Sequence, residues 1–238
     1  MIPLGDSEAA RRLSPVNTIL IAANFAIFGL ELWDSSVPLL TWFALVPERV
    51  SHLQWTQPRA GAAALLTLVS SLFLHAGVLH VAGNMLYLFV FGPAVEGRLG
   101  HARFIGFYLA AGIIACLAMV AMAPQSSIPV IGASGAIAGV LGGYFVLYPS
   151  GRISTVLPAS FMLRRVEIPA ILYLLIWFAM QLYLGISSGP SAPLLGGVAW
   201  WAHVGGFLFG VAAAPLIAGK PVKRRRAPAK ARSNRKPQ

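Results

Sequence analysis

Charge is scarce in this chain: of 238 residues only 11% are Asp, Glu, Lys or Arg, seven of them acidic, and cysteine occurs once. A single cysteine, Cys116, rules out an internal disulfide and a cysteine-built metal cluster, and its position in the middle of an apolar run reads as packing. With so few acids there is no H-E-x-x-H pattern and no carboxylate beside His80, which argues against zinc chemistry. Acids are also missing from the middle of every apolar run, which argues against a pair of catalytic aspartates. The opening "MIPLGDSEAARRLSP" is polar and lacks the small-residue cleavage pattern of a secretory signal, so the first apolar run is expected to insert by itself.

What the chain has in abundance is apolar length. Hydrophobic residues make up 57% and the mean hydropathy is +0.73, outside the balance of soluble domains. Stretches able to cross hydrocarbon, about 20 residues each, are read at 15–33, 78–96, 103–123, 134–149, 168–187 and 199–219. The expected fold is all-α, a polytopic membrane protein with six transmembrane helices. Its organisation is a short N-terminal segment (1–14), a six-span domain (15–219) and a basic tail (220–238). The loop of about 40 residues after span one carries Trp42, Phe43, Trp55, Leu65, Leu66, Leu68, Leu72 and Phe73, which suggests short amphipathic helices lying in a headgroup region. Gly135, Gly139 and Gly143 in span four, and Gly206, Gly210 and Ala214 in span six, recur at every fourth position. Small residues so spaced let backbones approach closely in lipid, so spans four and six are the expected centre of the bundle.

The formal charge of +11 is unevenly placed. Nine of the 18 basic residues lie from Lys220 onward, and Arg11, Arg12, Arg98, Arg103, Arg152, Arg164 and Arg165 fall on the same side of the six-span arrangement. The other side holds Arg49 and Arg59 alone, so the positive-inside rule puts both termini in the cytoplasm. The tail reads as a topology anchor beside anionic lipid rather than a nucleic-acid site, since no folded basic domain accompanies it.

Polar groups in hydrocarbon are costly and tend to face a cavity or a partner. Here they are His75, His80 and Asn84 at the start of span two, Ser134 at the start of span four, and His203 near the start of span six. Glu31, Glu96, Arg98, His101 and Arg103 sit at span ends, where interfacial placement accounts for them. With the N-terminus inside, spans two, four and six all begin at the outer face, so the five residues share one layer. A serine hydroxyl becomes a nucleophile when a base within hydrogen-bond reach takes its proton, and His203 is the candidate base. Apposed glycine stripes would bring the two together. His80 and Asn84, four apart on one helix face, and the amide of Ser134 at a helix N-terminus are candidate oxyanion donors. No carboxylate is in reach to orient His203, so a dyad is expected. His75 reads as a structural residue at the mouth of the site, and His52 and His101 as interfacial. "GASGA" is not the G-x-S-x-G of a soluble hydrolase elbow.

The blocks "HAGVLHVAGNMLYLFVFGPAVEGRLG", "GASG" and "AHVGGFLFG" resemble the three signatures of the rhomboid family of intramembrane serine proteases, over about residues 15 to 219. The resemblance implies a rhomboid-like bundle with Ser134 as nucleophile, His203 as its base, and His80 and Asn84 in the oxyanion site. It implies a serine endopeptidase without cofactor or metal that cuts single-pass membrane proteins at or near the outer face, usually after a small residue. Two positions depart from the family pattern. "LLTLVSS" stands where many members carry Trp-Arg, and Ala138 stands where some place an aromatic against the histidine. The alternative is a catalytically silent rhomboid-like protein that binds membrane clients, which would call for loss of the serine or the histidine; a transporter would more often show broken helices and midplane polar residues. Short tails and the lack of a transit peptide point to a bacterial inner membrane, with lipids and single-pass proteins as partners and no nucleic acid; the oligomeric state is left open.

Overall fold

The computed structural model describes residues 2–8, 14–33, 39–52, 58–159, 162–188 and 198–218. The basic tail, Arg11, Arg12, Trp55 and most of the loop 188–198 lie outside the described residues. In chain order the elements are β1 (Ile2–Asp6), α1 (Pro15–Trp33), α2 (Leu39–Phe43), α3 (Pro47–Ser51), α4 (Pro58–Ser70), a short 3-10 turn (Ser71–Phe73), α5 (Val78–Leu99), α6 (His101–Met122), α7 (Ser134–Leu147), β2 (Arg152–Ala159), β3 (Met162–Pro169), α8 (Ala170–Ser188) and α9 (Trp200–Ile217).

Five helices, α1, α5, α6, α8 and α9, are 18 to 22 residues long and apolar enough to cross a membrane. The expected fourth span is different. α7 has only 14 residues, a length of about 21 Å against about 30 Å of hydrocarbon. Every residue from Gly135 to Tyr144 is buried, the mark of a helix enclosed on all sides by protein. It therefore need not match the bilayer, because its neighbours do. The remaining spans shift by a few residues: α5 runs on to Leu99, and Ile168 and Pro169, read as the start of span five, close β3.

α7 and α9 meet backbone to backbone. A Cβ on Gly206 would land on the carbonyl oxygen of Gly135, and one on Gly210 on that of Gly139. The same two glycines of α7 also admit α6, whose Ala115 and Ala111 methyls stand where their Cβ atoms would be. The stripe thus serves two interfaces at once.

Around this centre the first loop folds back as α2, α3 and α4. Leu68 and Leu72 are buried, whereas Trp42, Phe43, Leu65 and Leu66 remain exposed, the two-faced pattern of helices at an interface. The loop is tied to the segment before α7, since Leu45 and Val130 exchange backbone hydrogen bonds and Gly132 N–H donates to the Ser71 carbonyl at 2.9 Å.

At the opposite end the chain adds an element that periodicity did not disclose. β1, β2 and β3 form an antiparallel sheet in that order, joining the N-terminal residues to the hairpin between α7 and α8. The helical class stands, with this sheet appended. Glu96 also departs from the interfacial expectation: its side chain is fully buried and accepts from the backbone N–H groups of Val16 (3.2 Å) and Asn17 (2.7 Å) and pairs with His101 Nδ1 (2.5 Å). An acid at a helix N-terminus satisfies donors that have no partner within the helix and opposes the helix dipole. Glu96 thereby pins the start of α1 to the end of α5.

Candidate active site

The site is assembled where α5, α7 and α9 begin. The approach to α7 is fixed by Gly132, whose φ of +115° suits glycine and strains any other residue. A Cβ there would also stand 2.8 Å from His80 Nε2. Ser134 is the first residue of α7. The N-cap position belongs to Ala133, which caps nothing with its side chain. The hydroxyl of Ser134 is instead turned to α9, 2.8 Å from His203 Nε2.

His203 lies in the first turn of α9 and is 8% exposed. Its Nδ1 is 2.7 Å from Oε1 of Gln181 on α8, itself 3% exposed. Trp177, one turn before Gln181, lies 5.9 Å from the imidazole at 33°, and Trp200 stands edge-on to it at 6.1 Å. Sequence reasoning missed Gln181 and Trp177. The signal was present, because a lone amide in an apolar span obeys the same rule that singled out Asn84.

On the other side, α5 supplies the donors. Ala76 N–H donates to His80 Nδ1 at 3.4 Å, so in the neutral ring the hydrogen resides on Nε2, next to Gly132. Asn84 places its Nδ2 3.0 Å from His75 Nε2. His75 sits in the loop before α5, where burial, with the adjacent His80 adding to it, holds its pKa down at about 4. It is therefore neutral at physiological pH, and Nε2 accepts one Asn84 hydrogen while the second is left for the cavity. Glu31 at the end of α1, expected to be interfacial, accepts the His75 backbone N–H at 3.3 to 3.4 Å and steadies that loop. No group of three or more metal-ligating side chains occurs among the described residues.

Ser134, His203, His80, Asn84 and Gln181 line one cavity of about 240 Å³, walled on its apolar side by Leu79, Tyr87 and Ile137. An apolar pocket holding a few convergent polar groups is the usual form of a binding or reaction site. The arrangement can activate a hydroxyl by a base and offer hydrogen-bond donors to a developing negative charge.

Comparison with known proteins agrees with this architecture. The Rhomboid domain profile matches residues 62–220. The chain is 31% identical over 144 residues to YdcA of Bacillus subtilis, a protein named for rhomboid proteases, which covers 57% of this chain and 64% of that one. It is 42% identical over 85 residues to rhomboid protease GluP of the same organism, covering 36% and 16%. It is 29% identical over 196 residues to the human presenilin-associated rhomboid-like protein, mitochondrial, covering 82% and 46%. The matched stretches are thus less than two thirds of those relatives' own lengths. With that profile spanning most of the chain and five apolar helices long enough to cross a bilayer, the chain belongs to the rhomboid family and is an integral membrane protein.

Proposed function

We propose that this chain is an intramembrane serine endopeptidase acting on single-pass membrane proteins. The observation that carries the reading is the 2.8 Å contact between Ser134 Oγ and His203 Nε2, made by two helices held backbone to backbone. His203 Nε2 takes the hydroxyl proton as Ser134 Oγ attacks the scissile carbonyl carbon. The oxyanion accepts from the Ser134 backbone N–H, Asn84 Nδ2 and His80 Nε2. Collapse breaks the C–N bond, and the leaving amine takes the proton from His203. Water, deprotonated by the same nitrogen, then hydrolyses the acyl-serine and restores the hydroxyl.

A helical substrate hides its carbonyls in hydrogen bonds, so cleavage calls for a locally unwound segment. The distribution of basic residues supports an orientation with both termini in the cytoplasm and the site opening to the outer side of a bacterial inner membrane. The names of the relatives GluP and YdcA are consistent with proteolysis.

The test is cleavage of a model single-pass substrate by purified protein in liposomes. Ser134→Ala and His203→Ala are each expected to abolish cleavage while leaving the helical circular-dichroism spectrum intact, and a fluorophosphonate is expected to modify Ser134, read by mass spectrometry of the peptide. Cleavage persisting in either variant overturns the dyad.

A further inference from the structure

We propose that Gln181 is the positioning residue of the dyad, holding His203 in the one tautomer that can act as a base. This rests on the reading of Ser134 and His203 as the reacting pair. A neutral imidazole carries a single N–H, on Nδ1 or on Nε2, and the partner of one nitrogen decides the state of the other. To take the Ser134 proton, Nε2 must present its lone pair, so the hydrogen has to sit on Nδ1. A buried N–H needs an acceptor.

The geometry supplies one. Gln181 Oε1 lies 2.7 Å from His203 Nδ1, and both side chains are removed from water. Its two aromatic neighbours cannot serve: Trp177 and Trp200 present faces and edges of indole rings, which offer no acceptor. Without Gln181 the ring would gain by placing its hydrogen on Nε2 and donating to Ser134 Oγ, an arrangement in which the base is already occupied. The amide also fixes the rotation of the ring, because Nδ1 is tied to α8 while Nε2 is tied to α7. When the imidazolium forms during attack, the same carbonyl dipole faces the new positive charge.

Gln181 thus fills the place that a carboxylate takes in three-membered serine sites. A neutral acceptor suits a setting where a buried carboxylate would itself need a counter-charge.

Three measurements on the full chain in detergent or liposomes test this. The ¹⁵N spectrum of histidine-labelled protein, with the His203 signals assigned by their loss in His203→Ala, is expected to show protonated Nδ1 and bare Nε2. A resting Nε2–H tautomer overturns the assignment, and this reading needs no variant at Gln181. Gln181→Leu is expected to lower kcat about ten- to a hundredfold, as removal of an orienting partner does, with KM nearly unchanged, and to shift the His203 tautomer. Gln181→Glu, which keeps an acceptor of the same length, is expected to restore most of that loss. Native kcat in Gln181→Leu, a loss with the tautomer unaltered, or equal loss in the Glu and Leu variants overturns it. If Ser134→Ala and His203→Ala are inactive while Gln181→Leu turns over normally, only the Gln181 assignment falls. If those alanine variants still cleave, the dyad itself falls.

Discussion

Asn84 shows how much a single side chain is asked to do at the mouth of the site. One of its amide hydrogens is committed to His75 Nε2 at 3.0 Å, which fixes the plane of the carboxamide and aims the other into the cavity. A donor so held contributes most when negative charge appears on the substrate oxygen, and little before. Asn84→Ala is therefore expected to lower kcat by about 10²- to 10³-fold, the usual cost of losing one oxyanion donor, with a much smaller change in KM. Steady-state kinetics on the model substrate decide it, and an effect confined to KM would remove Asn84 from the oxyanion site. Ser134, His203, His80 and Asn84 are legible in the sequence as candidates because a polar group in an apolar span stands out by its cost. Gln181 carried the same signal within "FAMQLYLGI". Its helix runs opposite to the three spans that start at one face, so a rule of shared starting depth does not reach it. Glu96 and Glu31 were misplaced for a different reason. A residue near a helix end looks interfacial in a linear reading, while only packing reveals that its carboxylate is folded inward onto backbone donors of another segment.

Helix against helix, the dyad depends on the absence of side chains. The stripes at Gly135, Gly139, Gly206 and Gly210 announced the α7–α9 contact in the sequence, and fourth-position spacing is enough to align two first turns. The sheet gave no comparable signal, since its first strand and its hairpin are separated by about 145 residues and its pairing is long-range. The shortness of α7 was partly visible, since 134–149 already falls below about 20 residues, but the enclosure that lets a 14-residue helix suffice shows only in the packing. Gly206→Ala would set a methyl onto the Gly135 carbonyl, so α9 must move away from α7. Overpacking of this kind costs about 1–3 kcal/mol. His203 lies less than one turn from that point, and a displacement near 1 Å at a reacting pair can cost about 10²-fold in rate. Gly210→Ala meets the Gly139 carbonyl in the same way, two turns from His203. The two variants are expected to lose similar thermal stability, with the larger fall in kcat at Gly206. Melting curves beside cleavage rates, taken where both proteins are folded, check this, and equal kinetic effects would show that the glycine contact serves stability alone.

Over the whole molecule, the two ends are built for different surroundings. One end gathers the cavity, the mouth loop and the short helices α2 to α4. The other carries the sheet with Arg152, Arg164 and Arg165, the Arg98–Arg103 turn and the buried Glu96 clamp. Because α7 is about 21 Å long and lies enclosed, one of its ends must stop short of a membrane surface, and Ser134 is at an end that opens to a cavity rather than to the sheet. The loop 123–133, which leads into Ser134, emerges at that same end. If basic residues face the cytoplasm, that loop faces outward. The single native cysteine, Cys116, is buried, so the chain offers a quiet background for labelling. Ser127 in that loop and Arg164 in β3 are both exposed. Ser127→Cys is expected to react with a membrane-impermeant maleimide applied to intact cells, and Arg164→Cys only after the membrane is permeabilised. The reverse pattern would place the cavity on the cytoplasmic side and redirect the search for substrates, because cleavage would then release fragments inward while the pairing of Ser134 with His203 stood unchanged.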